Sequence, residues 1–203
     1  MPRYVPKHAI HNVSRLEAII GKAAGVSAGV LVDEAYSDFA PELTVIDDIG
    51  KYYNLFIVRS LAKNMGIAGL RAGYVASQEK NIAQLRKIRG PYDLPTITAL
   101  AIKALRHSEV VADINAYVSE VMTVSKPILE AFYRREGIRF FQSSAGFHLL
   151  QEPPGFIDFL EKRNILVRKR PDPVGTVRVS IGTKENTEQY IEAFEEYLKA
   201  NRK

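Results

Sequence analysis

One lysine in this sequence has the surroundings that covalent chemistry at an amine requires. Lys63 follows the apolar run 55–58 after a short interval and lies in a turn that contains Gly66 and Gly69. The neutral amine of a lysine attacks an aldehyde to form a Schiff base, and surroundings of low polarity favour the neutral amine. Because a lone lysine at such a position is more often a solvated loop residue, neighbouring groups must decide between the two interpretations.

Two side chains near Lys63 are suited to bind a phosphate group. Ser60 offers a hydroxyl three residues before the lysine, and Arg71 offers a guanidinium eight residues after it. A guanidinium forms paired, charge-assisted hydrogen bonds with phosphate oxygens, and a hydroxyl adds a further donor. The segment therefore combines a candidate Schiff-base amine with a candidate phosphate site.

A carboxylate and a phenol follow the preceding apolar run. Asp33 comes directly after the run 29–32, and Tyr36 follows three residues later. The carboxylate can pair with a protonated pyridine nitrogen, and the phenol can donate a hydrogen bond to an oxygen on the same ring. Alone, such an acid is more often a helix cap and such a tyrosine is more often part of a core. Together with the three residues above, they supply most of the groups that pyridoxal phosphate requires.

Short apolar runs predict the strands that position these residues. Polar residues follow the first two runs, and ligands of open parallel sheets bind beyond the carboxyl ends of the strands. We predict an α/β portion with a parallel sheet over residues 1–115 and a smaller α+β domain over residues 116–203. The predicted strands are 29–32, 55–58, 73–76, 138–141, 147–150, 165–168 and 176–181.

Helical periodicity and capping patterns fill the segments between these strands. Ser14 with Glu17 and Asn186 with Gln189 are capping-box patterns that predict the start of the first and last helices. Pro127 predicts a kink or break in the longest helical stretch. The other predicted helices are 79–89, 95–106, 108–136 and 155–163.

Composition excludes several other classes of protein. The chain has 203 residues, of which 46% are hydrophobic, and it has no cysteine, so disulfides and thiolate metal sites are ruled out. His8 and His11 lack a third metal ligand, so we predict no metal site. No apolar stretch reaches the length of a membrane span, and the basic residues behind the net charge of +5 are scattered among acids. We expect a cytoplasmic protein that binds an anionic small molecule, and neither nucleic acid nor membrane.

The motifs together resemble the class I and II aminotransferases of pyridoxal-phosphate fold type I. The segments that carry the resemblance are Asp33-Glu34-Ala35-Tyr36, Arg59-Ser60-x-x-Lys63 and Gly66-x-Ala68-Gly69-Leu70-Arg71-x-Gly73-Tyr74. Within the family the chain is most similar to the histidinol-phosphate aminotransferase branch. That similarity rests also on Arg89-Gly90-Pro91-Tyr92, Ser144-Ala145-Gly146-Phe147 and the segments 165–168 and 177–183. The resemblance begins near residue 14, and the amino-terminal portion of the family is absent from this chain.

The resemblance implies a role for each residue near the lysine. Lys63 would bind the cofactor aldehyde as a Schiff base and then move the proton at the substrate α-carbon. Asp33 would hold the pyridinium nitrogen, and Tyr36 would hold the phenolic oxygen. Ser60 and Arg71 would bind the cofactor phosphate.

In the smaller domain the resemblance implies two contacts with the substrate. Arg178 would bind the α-carboxylate, and Arg168 would face the distal phosphate of a substrate such as histidinol phosphate. For Arg168 a solvated arginine beside Lys169 and Arg170 is an equal alternative. The implied fold is the carboxyl-terminal part of a fold type I aminotransferase, with a partial cofactor-binding domain followed by the small domain.

The implied activity is that of a pyridoxal-phosphate-dependent aminotransferase of amino-acid biosynthesis. It would transfer an amino group between an amino acid or amino-alcohol phosphate and a 2-oxo acid, as in histidine biosynthesis. Two alternatives stay open: an amino-acid-phosphate decarboxylase of the same branch, and a non-catalytic remnant or interaction module of the same fold. Because the family's amino-terminal portion supplies further cofactor contacts, we expect weak cofactor binding and either a homodimer or a partner chain.

Overall fold

The computed structural model describes residues 13–170 and 175–201. The chain divides into two compact units, residues 1–114 and 115–203. The irregular start predicted for residues 1–12 lies outside the described residues. Each unit contains a sheet of its own, and the two are described separately below.

A three-stranded mixed sheet forms the centre of the first unit. Its strands are β1 (Val30–Asp33), β2 (Leu55–Ser60) and β3 (Gly73–Ala76), in the order β1-β2-β3. β1 runs parallel to β2, as predicted, and β3 runs antiparallel to β2, so the sheet that was predicted to be mostly parallel is mixed. A crossover to a parallel strand usually contains a helix, whereas the connection between β2 and β3 contains only a 3₁₀ turn, Ala68–Leu70.

Helix α1 (Val13–Ala24) and a 3₁₀ turn (Ile46–Ile49) cover one face of this sheet. Burial of their apolar side chains against the strands supplies the main stabilisation of the unit. The buried core consists of Leu16, Ile20, Val32, Val45, Leu55 and Ile57. Two further helices, α2 (Glu79–Lys87) and α3 (Thr96–Ala104), follow close to their predicted bounds.

The opposite face of the sheet is largely uncovered by the described residues. Burial alternates along β1: Val32 is buried toward the core, whereas Leu31 is 65% exposed and Asp33 is also exposed. Val75 of β3 is 41% exposed on the same side. We refer to this side of the sheet as the open face, and its residues include Leu31, Asp33, Val58, Ser60 and Val75.

The longest helical stretch changes its type just before Pro127. Helix α4 (Ser108–Glu120) passes into a π-helical turn (Val121–Ser125) and then into α5 (Lys126–Arg135). A proline inside a helix cannot bond to the carbonyl four residues back and clashes with it. The wider π turn accommodates this defect. The predicted break is therefore a local change of helix type and does not end the helical stretch.

An antiparallel four-stranded sheet forms the centre of the second unit. The elements after α5 are β4 (Phe140–Phe141), β5 (Phe147–Gln151), α6 (Phe156–Glu161), β6 (Arg168–Arg170), β7 (Thr176–Ser180) and α7 (Lys184–Asn201). The strand order is β4-β5-β7-β6, and every pair is antiparallel. Among the described helices of both units, none is long and apolar enough to cross a membrane.

Two predicted boundaries in the second unit are shifted. The strand predicted at 165–168 begins only at the last of these residues, because the N–H of Ile165 bonds to the carbonyl of Leu160 and closes α6. The last helix begins before Asn186, because Thr183 is the capping residue. Its Oγ1 accepts a hydrogen bond from the N–H of Asn186 at 3.3 Å, which satisfies a free donor of the first turn.

Aromatic rings fill the core of the second unit. Tyr133, Phe156 and Phe194 are completely buried, and the ring centroids of Phe156 and Phe194 lie 4.2 Å apart. His148 of β5 is also completely buried, with its ring 6.1 Å from that of Tyr133. Because side chains alternate along a strand, Phe147, which is half-buried, lies on the other face of the sheet from His148.

Candidate active site

Asp33 lies at the carboxyl end of β1, on the open face. It is exposed, and its Oδ1 accepts a hydrogen bond from the N–H of Ala35 at 2.9 Å. This bond fixes the carboxylate against the turn that follows the strand. The same turn leads to Tyr36, whose side chain is half-buried.

Lys63 lies beside Tyr36. The Nζ atom of Lys63 is 5.1 Å from the centroid of the Tyr36 ring, a distance typical of a cation–π contact. The structure thus brings together the amine and the phenol that the sequence assigned to one cofactor. The Lys63 side chain is exposed, so the described residues do not supply the low-polarity surroundings expected for a Schiff-base lysine.

Ser60 and Arg71 come from facing ends of β2 and β3. Ser60 pairs with Gly73, and the backbone bond from Leu61 N–H to the Ala72 carbonyl extends this pairing toward Arg71. A Cβ at Gly73 would lie 2.7 Å from the carbonyl oxygen of Arg59, so the close approach of the two strands requires glycine.

Arg71 adopts a backbone conformation that is unusual for a residue with a side chain. It follows the 3₁₀ turn Ala68–Leu70 with a φ of 53°, in the left-handed region. Such a conformation costs about 1–2 kcal/mol for residues other than glycine, and such strain is concentrated at functional sites. The strained backbone is consistent with a guanidinium that is held for binding.

The polar side chains at this end of the sheet fit pyridoxal phosphate. Asp33, Lys63 and Arg71 form no ion pair within residues 13–170 and 175–201. They supply a carboxylate for a pyridinium, an amine for an aldehyde and a guanidinium for a phosphate, and Ser60 adds a hydroxyl. Within the first unit, therefore, the residues predicted from the sequence are positioned at one end of the sheet.

Sequence reasoning missed a buried carboxylate next to Asp33. The side chain of Glu34 is completely buried and accepts hydrogen bonds from Thr44 Oγ1 at 2.7 Å, Val45 N–H at 2.8 Å and Arg59 Nη2 at 2.9 Å. Burial lowers the pKa of Arg59, but its bonds to Glu34 and Tyr74 raise that pKa to above its ordinary value. The sequence did contain a sign of this pairing. Alternation along the first two strands places Glu34 and Arg59 on the same face of the sheet, where an acid and an arginine can form an ion pair.

The two arginines predicted to bind the substrate lie in the second unit. Arg178 of β7 is directly opposite Arg168 of β6 in the antiparallel pair, so both side chains are on one face of the sheet. The Nε atom of Arg178 is buried without a hydrogen-bond partner among the described residues, and its guanidinium carbon lies 5.4 Å from the Phe147 ring centroid. Like charges at opposed positions are destabilising, so an anion bound at this face would relieve their repulsion.

Comparison with known proteins identifies the family. The profile of the family described as "Aminotransferase class I and II" matches residues 9–194. A histidinol-phosphate aminotransferase of Pyrococcus furiosus is 37% identical over 172 residues, which are 83% of this chain and 48% of that protein. One of Francisella philomiragia is 32% identical over 184 residues, 89% of this chain and 51% of that protein. The predicted similarity to this branch is confirmed, and the chain spans about half the length of the curated relatives it matches.

Solved structures show the same fold at lower sequence identity. The histidinol-phosphate aminotransferase of Clostridium acetobutylicum has a TM-score of 0.80 at 20% identity, over 93% of this chain and 60% of that one. The L-threonine-O-3-phosphate decarboxylase of Porphyromonas gingivalis has a TM-score of 0.75 at 20% identity, over 93% and 60%. The histidinol-phosphate aminotransferase of Sinorhizobium meliloti, solved with pyridoxal-5'-phosphate, has a TM-score of 0.72 at 21% identity, over 91% and 53%. This chain belongs to the class I and II aminotransferases, and its fold is that of pyridoxal-phosphate fold type I.

Proposed function

We propose that this chain is the part of a pyridoxal-phosphate-dependent aminotransferase that carries the cofactor lysine. Its reaction is amino transfer between an amino acid or amino-alcohol phosphate and a 2-oxo acid, as in histidinol-phosphate aminotransferases. The observation that supports this best is the placement of Asp33, Lys63 and Arg71 at one end of one sheet, each without an ion-pair partner among the described residues. In this proposal, the first unit is the partial cofactor-binding domain and the second unit is the small domain.

Each residue of the first unit has a distinct task. When bound, pyridoxal phosphate supplies an aldehyde and a ring that withdraws electrons from the substrate α-carbon. Asp33 would hold a proton on the ring nitrogen, because its carboxylate stabilises the pyridinium charge. Ser60 and Arg71 would hold the phosphate, and Tyr36 would donate a hydrogen bond to the ring oxygen. The Lys63 amine would hold the cofactor through its aldehyde group and would move the proton at the substrate α-carbon.

The second unit supplies the substrate contacts. Arg178 binds the α-carboxylate, since a guanidinium and a carboxylate form two parallel hydrogen bonds. Its buried Nε, which has no hydrogen-bond partner among the described residues, supports this assignment. Arg168, opposite it in the sheet, is exposed and binds a second anionic group such as a distal phosphate.

The proposal extends to the partners and the location of the protein. The substrates are a small-molecule amino donor and a 2-oxo acid, and the reaction belongs to amino-acid biosynthesis in the cytoplasm, most specifically that of histidine. The open face supports association as a homodimer or with a partner chain, because exposed apolar surface of this kind is usually covered.

Chemical trapping tests the central assignment. Purified protein is mixed with pyridoxal phosphate, reduced with borohydride and digested, and the peptides are mapped by mass spectrometry. The pyridoxyl group is expected on Lys63 and is expected to disappear in Lys63→Ala. Lys103→Ala, which changes an exposed lysine of α3, serves as the matched control and retains the label. A label confined to other lysines, or no label with excess cofactor, would contradict the proposal.

A non-catalytic member of the same family is the second candidate. The exposure of Lys63 and of the open face supports it, because catalysis at a lysine usually requires a site that excludes water. The two candidates differ in one measurement. A mixture of labelled amino donor and 2-oxo acid yields labelled product with an aminotransferase and none with a binding protein. Release of carbon dioxide from a phosphorylated amino acid would instead identify the decarboxylase alternative.

A further inference from the structure

The buried carboxylate of Glu34 links the segments that carry the candidate cofactor contacts. It accepts hydrogen bonds from the side chain of Thr44, from the N–H of Val45 and from both Nε and Nη2 of Arg59, the last two at 3.2 and 2.9 Å. Arg59 Nη2 also donates to Thr44 Oγ1 at 2.7 Å. We refer to Glu34, Thr44, Arg59 and the N–H of Val45 as the Glu34 clasp.

We propose that Glu34 is a positioning residue that acts through Asp33. This inference rests on the proposed function, because it assumes that Asp33 holds the cofactor ring. Asp33 and Glu34 are consecutive and point to opposite faces of the sheet, so Glu34 itself cannot touch a ligand on the open face. Fixing the side chain of Glu34 fixes the backbone on which the Asp33 carboxylate is carried.

The clasp also fixes the neighbouring strand. Arg59 is followed directly by Ser60, and the N–H of Glu34 donates to the carbonyl of Val58 at 2.8 Å. Each end of the ion pair is therefore one residue away from a group assigned to the cofactor, Asp33 on β1 and Ser60 on β2. The clasp thus sets the position of the ring contact relative to the phosphate contact.

The hydrogen bonds of the Glu34 clasp are better suited to fix the orientation of a carboxylate than to add stability. A buried ion pair must offset the loss of hydration of both charges, and apolar side chains of similar volume often stabilise a core at least as well. Hydrogen bonds from a guanidinium and a backbone N–H are directional, however, and they restrict the carboxylate to one orientation. Positioning of adjacent groups to within about half an ångström is what a preorganised site requires.

A double-mutant cycle tests whether Glu34 acts through Asp33. The affinity of the full chain for pyridoxal phosphate is measured by absorbance titration for the unchanged protein, Glu34→Gln, Asp33→Ala and the double variant. Glu34→Gln is expected to weaken binding about tenfold when Asp33 is present and less than about twofold when it is absent, since coupled residues show non-additive effects. All titrations are made at a temperature where circular dichroism shows the folded state.

The controls separate positioning from general stability. Glu17→Gln breaks the 2.9 Å pair with Lys51 in the same unit, and it is expected to leave cofactor affinity unchanged. Arg59→Lys keeps a cation beside Glu34 and is expected to retain more affinity than Arg59→Met. If Glu34→Gln does not fold, Thr44→Val replaces it in the same cycle, because it removes clasp hydrogen bonds and keeps the ion pair.

Each outcome has a definite meaning. Equal weakening by Glu34→Gln in both Asp33 backgrounds would overturn the positioning role while leaving the proposed function intact. No weakening at all would overturn it in the same way. If the unchanged protein cannot be labelled at Lys63, the proposed function fails, and this inference fails with it.

Discussion

Two adjacent carboxylates at the end of β1 have opposite surroundings. Asp33 is exposed on the open face, whereas Glu34 is buried and held by four donors. Asp33 has carboxylate lone pairs left to accept hydrogen bonds from a ligand, whereas the lone pairs of Glu34 are used by protein donors that hold the structure. In this dipeptide, therefore, Asp33 is the candidate ligand-binding residue and Glu34 is the structural residue.

Replacing Asp33 by asparagine tests its chemical role. The amide cannot stabilise a pyridinium charge. The variant saturated with cofactor should therefore remove the α-proton about a hundredfold or more slowly than the unchanged protein. The measurement is the single-turnover absorbance change of bound cofactor after addition of an amino donor. Asp47→Asn, at an exposed acid of the same unit, is the control and should have no effect. An unchanged rate in Asp33→Asn would show that this carboxylate is not beside the ring.

Replacing Arg71 by glycine should separate stability from binding. Glycine relieves the left-handed backbone at a φ of 53°, so the free energy of unfolding should rise by about 0.5–1 kcal/mol. Loss of the guanidinium should weaken binding of pyridoxal phosphate about tenfold or more. Urea denaturation and absorbance titration measure the two effects. Arg71→Lys keeps both the strain and a cation, and it should gain no stability.

At the scale of elements, the strands and helices show what periodicity can predict. Their apolar runs were sufficient to place six of the seven predicted strands near their observed positions, because burial on a sheet or helix face imposes a local pattern. The direction of β3 could not be predicted, since it depends on how the connection from β2 folds back. The bounds of β6 were wrong because the bond from Ile165 to Leu160 is a helix-ending contact that no apolar pattern encodes.

The candidate site was predictable only in part, because some of its contacts join segments that are distant in the sequence. The types and spacing of Asp33, Ser60, Lys63 and Arg71 along the chain indicated one ligand, and the structure places them at one end of the sheet. The partnership of Glu34 with distant groups is a property of three-dimensional packing. It requires the register of β1 against β2, which a single sequence does not specify.

The buried histidine of β5 should make the second unit sensitive to acid. Burial lowers the pKa of His148, an effect to which Lys126 and Arg134 add and which Glu130 and the Phe141 backbone oppose. Nε2 of His148 lies 3.3 Å from Glu130 but has no hydrogen-bond partner among the described residues. A histidine with a lowered pKa in the folded state favours the neutral form, so the unfolded chain takes up protons first.

The free energy of unfolding of the second unit should therefore decrease in mild acid. Stability is complete above the ordinary histidine pKa of 6.5 and falls as the pH drops below it, by at most about 1.4 kcal/mol per pH unit. His148→Leu should remove this part of the pH dependence in urea denaturation curves between pH 7.5 and 5, a range set by about one unit on either side of that pKa. His107→Gln, at an exposed histidine, should leave the dependence unchanged. A slope that persists in His148→Leu would assign the dependence to other groups.

For the molecule as a whole, the open face predicts association. Leu31 is 65% exposed at the centre of β1, and Val75 is 41% exposed on the same side. Apolar strand surface of this kind is usually buried by a second layer. We therefore expect a mass above that of a single chain by light scattering.

Leu31→Lys tests the association directly. A charge at the centre of the open face should shift the mass toward a single chain, because burial of an unpaired ammonium is costly. Leu166→Lys changes a leucine of the second unit that is 82% exposed, and it should leave the mass unchanged. A mass equal to that of a single chain for the unchanged protein would refute this expectation.

The alternation of β1 also determines which kinds of mutation the protein can survive. A substitution within Val30–Asp33 replaces one side chain and keeps the alternation of the others between the two faces. An in-frame insertion or deletion of one residue in this strand would exchange the two faces for every residue beyond it. The carboxylate of Asp33 would then turn toward Arg59, and that of Glu34 would turn toward the cofactor contacts. Length changes in this strand should therefore be tolerated far less often than substitutions in a library of random variants.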